Sequence, residues 1–168
     1  MRHPVSTEKT YALFGLLLGA IPPAAVFVRL FGYGLGGGLM NMTTADGGLF
    51  ALCAVMNVVC GLVGYGMGSA ICRSSFELEH KSWIRMFLFV PLLGAGWGAV
   101  SGAAGGFFFF GVGGVFGFAV GAPVGIFGFL MFSILHRMLE RGGMIETRHF
   151  LPIACGITAI LTSLILGL

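Results

Sequence analysis

From Ile84 to Leu135 the chain runs for 52 residues with a single charged side chain, Arg85, near its start. A stretch of this kind cannot cover itself with a water-facing surface. It is also too long for one bilayer crossing, which takes about 20 apolar residues, and has the length for two crossings joined by a tight turn. The rest of the sequence has the same character. Hydrophobic residues make up 57% and charged residues 9%, against roughly 25% charged in an ordinary soluble domain. Nine Lys and Arg and six Asp and Glu are too few to solvate a globule of this size, and mean hydropathy is +1.00. These numbers exclude a soluble enzyme, a nucleic-acid-binding domain and a disordered chain. They predict an all-α polytopic integral membrane protein, with residues 1–168 forming a single transmembrane domain.

Five segments are apolar enough to span: residues 11–31, 49–72, 84–107, 111–135 and 150–168. Charge bias tests this count. With five crossings, Arg2, Lys9, Arg73, Lys81, Arg85, Arg137, Arg141 and Arg148 all fall on one side, and only Arg29 falls on the other. An excess of Lys and Arg marks the inner side of a membrane. The N-terminus is therefore expected inside and the C-terminus outside, in a bacterial or organellar inner membrane. A net charge of +3 is read as orientation in the bilayer, not as affinity for nucleic acid. Pro22 and Pro23 each lack a backbone N–H and are expected to kink or locally break the first helix. If they made that segment re-entrant, four spans would remain and the charge bias would weaken. Because the chain opens on Met1, the first segment is expected to be retained as a span, not cleaved as a signal.

The 30 glycines are the second strong signal. Gly94, Gly98, Gly102 and Gly106 recur every four residues in the third segment, and Gly113, Gly117, Gly121 and Gly125 do so in the fourth. A spacing of four keeps residues near one helix face, so each helix presents a groove without side chains. Such grooves let helix backbones approach closely, and in lipid that contact is what associates helices. The pattern predicts a glycine-zipper helical hairpin, its grooves facing each other or a neighbouring subunit. The turn falls between Gly105 and Gly114 and carries Phe107 to Phe110. The second segment is also glycine-rich, at Gly61, Gly64, Gly66 and Gly68.

Residues that carry chemistry are scarce. The centres of the second to fifth segments hold no Asp, Glu, Lys, Arg or His, the residue types that mark ion and proton paths. Asn57 is the most polar candidate and is expected to hydrogen-bond between helices. Ser101, Ser133, Thr158, Thr162 and Ser163 are weaker ones. Arg29 is expected to snorkel to the headgroups. His3, His80, His136 and His149 read as solvated loop histidines, and Cys53, Cys60, Cys72 and Cys155 as small apolar residues. Gly32 to Gly37 fits a GxGxxG pattern but follows a membrane helix, not a strand, so it carries no dinucleotide reading. Asn41-Met42-Thr43 is a formal glycosylation sequon.

The GxGxG stretches at Gly64–Gly68 and Gly94–Gly98 resemble those of the proteolipid subunits of rotary ATPases. That family binds its transported ion on a membrane-buried carboxylate, and the corresponding helices here have none. The loop from Arg73 to Arg85, followed by Gly94, Gly98 and Gly102, is similar to the mitochondrial inner-membrane translocase family, whose relatives include accessory subunits of respiratory complex I. That family has four spans, and the fifth segment here departs from the pattern.

The expectation is a non-catalytic, multi-pass accessory subunit that packs into a larger membrane complex through glycine-lined helices. The alternative is a small homo-oligomeric channel or transporter. No enzymatic activity, metal or cofactor is expected beyond bound lipid. The expected partners are the bilayer and other membrane subunits.

Overall fold

The computed structural model describes residues 4–30, 44–79, 83–106, 112–140 and 142–168. The side chains of residues 44–46, 75–79, 106, 112 and 113 lie outside that description. Among the described residues, five helices are long and apolar enough to cross a membrane. They are α1 (Thr7–Arg29), α2 (Thr44–Glu79), α3 (Trp83–Gly106), α4 (Val112–Leu139) and α5 (Thr147–Leu166). At 23 residues, α1 reaches about 34 Å, enough for the hydrocarbon core. It runs unbroken through Pro22 and Pro23, so the prolines remove two backbone donors without ending the helix.

Two short strands, absent from the sequence reading, complete the fold. β1 (Pro4–Ser6) pairs antiparallel with β2 (Met144–Glu146), Val5 opposite Ile145. Each strand runs directly into a helix, β1 into α1 and β2 into α5. The ribbon therefore holds the starts of α1 and α5 at one end of the bundle, and the two helices run the same way because their far ends also meet, Arg29 against Leu166. Gly142 and Gly143 precede β2 with φ of +61° and +76°, a left-handed backbone that glycine adopts without steric cost. The turn brings the Gly143 carbonyl to the start of α1, where it accepts from the Thr7 N–H at 3.2 Å and the Thr7 hydroxyl at 3.1 Å. A helix start leaves four N–H groups without intrahelical partners, and a distant loop satisfies one of them here.

The remaining helices alternate in direction. Tyr11, Gly15 and Gly19 of α1 face Gly68, Gly64 and Cys60 of α2. Trp97 Nε1 of α3 donates to the Gly64 carbonyl of α2 at 3.1 Å. The α3 and α4 helices pair over Gly94–Gly125, Gly98–Gly121 and Gly102–Gly117. One end of the bundle thus gathers the ribbon with Glu8, Lys9, Arg73, Arg85, Arg137, Glu140, Glu146 and Arg148. Among the described residues, Arg29 is the only Lys or Arg at the opposite end.

The core lies toward the ribbon end and is aromatic. Phe14 stacks on Phe132 at 4.2 Å between centroids, while Tyr11 meets Phe132 edge-on at 5.1 Å. Trp97 and Phe14 both meet Phe129 edge-on at 5.2 Å, and Phe150 of α5 closes the cluster against Phe132. Each such pair contributes about 0.5–1.5 kcal/mol beyond its area. This matters more in lipid than in water, because apolar side chains gain little by leaving apolar tails.

Candidate functional site

Three features of the bundle bear on function: the close helix contacts, a polar cluster at the ribbon end, and a cavity at the other end. The contacts come first because they position the rest. A methyl group added at Gly98 or Gly102 would collide with the carbonyl of Gly121 or Gly117, and the same holds in the reverse direction. Gly94 and Gly125 meet in the same way. Six of the eight glycines singled out by spacing therefore face each other within one chain. The surroundings of Gly106 and Gly113 lie outside the described residues, as do Phe107 to Phe110, the GxGxxG stretch and the sequon. A second contact of the same kind was not read from the sequence. Gly15 and Gly19 of α1 meet Gly64 and Cys60 of α2 backbone to backbone. Its signal was present as a spacing of four on both helices, Gly15 and Gly19 against Cys60, Gly64 and Gly68. Gly66 and Gly96, by contrast, face open space. Asn57 Nδ2 of α2 donates to the Ala20 carbonyl of α1 at 2.8 Å, next to the Leu18 and Gly19 carbonyls whose helical donors Pro22 and Pro23 lack.

The polar cluster corrects the reading of His136. It is not a solvated loop residue: it sits on the last turns of α4, fully buried, where the bundle closes over the start of α1. His149 is exposed, while His3 and His80 lie outside the described residues. The Thr10 hydroxyl donates to the Thr7 carbonyl at 2.7 Å and lies 3.2 Å from His136 Nε2. The other ring nitrogen, Nδ1, is 3.5 Å from Glu140 Oε2. One turn earlier, Tyr11 donates to Ser133 Oγ at 2.8 Å. Two pairs of polar side chains thus join α1 to α4 inside an aromatic shell. Thr158 and Thr162 instead donate to the carbonyls of Ala154 and Thr158 on their own helix, each at 2.7 Å. Among the described residues no group of three or more His, Cys, Asp or Glu could hold a metal ion.

The cavity occupies about 500 Å³ and is walled by all five helices. Leu18, Met56 and Trp97 form its buried floor, while Val26, Phe116 and Val120 form its exposed rim. It arises where small residues line opposing surfaces: Gly19 and Pro22 on α1, Gly102 and Gly105 on α3, Gly117 and Gly121 on α4. Its two polar side chains are turned to backbone. Cys60 Sγ donates to the Ser101 carbonyl at 3.4 Å, and the Ser101 hydroxyl donates to the Gly98 carbonyl at 3.5 Å. Among the described residues, none that lines it is charged.

Comparison with family models, curated proteins and solved structures yields no match. A wall of this kind offers no nucleophile with a base beside it and no fixed charge for an ion. It offers an apolar slot of the size that takes one small ligand, about 300–1,000 Å³.

Proposed function

We propose that this protein is a non-catalytic, multi-pass subunit that packs into a larger membrane complex. One observation carries the reading: the first half of α4 rests on α3 through glycine and is bare in other directions. Val115, Phe116, Phe118 and Val120 are 69%, 68%, 55% and 50% exposed. At about 100° per residue they spread over roughly 200° of the helix surface, while Gly117 and Gly121 on the remaining side face α3. A helix held along one narrow strip, with bulky apolar side chains elsewhere, is a surface on which partner helices can seat. The facing glycines act in this reading as a zipper that stiffens each hairpin, so that the body presents a fixed outer shape. The basic ribbon end lies inside and the Arg29 end outside, in a bacterial or organellar inner membrane, as the positive-inside rule orders them.

The cavity beside Pro22 and Pro23 favours a second reading, a homo-oligomeric channel or small transporter gated by a hydrophobic constriction. Mild detergent extraction, native-gel separation and mass spectrometry of the band separate the two. Unrelated subunits at fixed stoichiometry are the expected result. A band holding only this chain, at an integral multiple of 17.6 kDa, would sink the subunit reading and make ion flux in liposomes the next measurement.

A further inference from the structure

The cavity has a direction as well as a volume. Along α1 its lining runs from Leu18 to Phe27, and along α4 from Phe116 to Val124. At 1.5 Å per residue both stretches span about 12–14 Å. The slot is therefore elongated parallel to the helices, which is the direction of lipid acyl chains. It ends where α1 and α5 end together. There Arg29 stands one turn past Val26 of the rim, and its Nη1 donates to the Leu166 carbonyl, next to Ile165 of the wall. The one described basic residue at this end of the bundle is thus tied to the mouth of its apolar slot. Arg29 is exposed, and a guanidinium has five N–H donors in a fork that matches phosphate oxygens. The bond to Leu166 uses one Nη1 hydrogen and leaves the other N–H donors of the fork for a ligand.

We propose that this cavity takes one acyl chain of an anionic phospholipid whose phosphate is bound by Arg29. The wall selects a tail, since it has no charge and its hydroxyl and thiol are already bonded to backbone. The arginine selects the headgroup by charge. A zwitterionic lipid has the tail and the phosphate but brings its own cation, which weakens the pull of Arg29.

Trp97 on the cavity floor reports occupancy directly. It is 2% exposed, so bulk lipid reaches it poorly and a tail in the slot touches it. With Trp83→Phe, the full chain has Trp97 as its one tryptophan. It is reconstituted in phosphatidylcholine vesicles doped with phosphatidylglycerol or phosphatidylcholine carrying brominated tails. Brominated phosphatidylglycerol is expected to quench Trp97 at about fivefold lower mole fraction than brominated phosphatidylcholine, the ratio one basic contact supplies at a membrane surface. Arg29→Ala should bring the two lipids to parity, and Arg29→Lys should keep most of the preference. Inorganic phosphate should not compete, since it has no tail. No quenching by either lipid would overturn the tail site. Equal quenching in the Trp83→Phe protein, or an unchanged preference in Arg29→Ala, would overturn the headgroup assignment.

Discussion

At the scale of single residues, the polar groups of this bundle are few and almost all are placed against a partner. Tyr11 and Ser133 are both fully buried, and they bond across 122 positions of sequence. In a membrane such a bond is worth less than intuition suggests, because the unfolded helices also find partners. A double-mutant cycle with Tyr11→Phe and Ser133→Ala is expected to give a coupling near 0.6 kcal/mol, read from unfolding midpoints in mixed micelles. A coupling indistinguishable from zero would mean the hydroxyls do not meet. Asn57 was legible in the sequence as the most polar residue of its span. His136 was not, because its position one residue beyond a long apolar run looks like a loop. Its burial follows from α1 beginning beneath it, and that depends on where the ribbon puts Thr7 and Thr10.

At the scale of elements, backbone contact between α3 and α4 replaces side-chain interdigitation. Gly98 and Gly96 stand two residues apart, yet a side chain at Gly98 would strike α4 and one at Gly96 would meet nothing within 4 Å. Gly98→Leu should therefore cost on the order of 1–3 kcal/mol by overpacking. Gly96→Leu should change stability by no more than about 0.5 kcal/mol, as at an unencumbered surface position. Thermal unfolding of the two variants checks the contrast, and equal losses would remove the α3–α4 contact as its cause. The spacing of four was readable on these helices because four glycines in a row carry it on each. The matching contact between α1 and α2 was harder to see: two glycines on α1 meet a line that Cys60 begins, so neither helix shows a full run. The ribbon left no signal at all, since three residues per strand are too few for an alternation of faces to register.

For the whole molecule, the separation of charge between the two ends predicts how the bundle sits in a bilayer. The ribbon, the ends of α2 and α4 and the start of α3 all lie at the basic end. Bridges such as Arg73 to Glu8, at 2.9 Å, are exposed there and contribute little to stability. Their positive excess is expected to act on insertion instead. Alkaline phosphatase fused after Leu168 in a bacterial host is expected to be active, and a fluorescent protein at the same site dark. The reverse pair of results would invert the orientation and place Arg29 in the inner leaflet. The lipid site would then move with it, facing the leaflet richer in anionic headgroups in many membranes.

Membrane residence and five crossings follow from the chain alone, because hydrocarbon thickness sets the length of an apolar helix and leaves a chain with so few charges no other way to satisfy its backbone. The glycine spacing on the third and fourth segments is equally a property of the chain. Which surfaces those grooves meet is not: spacing marks a face, and only the packed bundle chooses its neighbour. The same holds for the buried His136, the ribbon between residues more than a hundred positions apart, and the slot that ends at Arg29. Each exists only where several helices converge, so no stretch of sequence contains it.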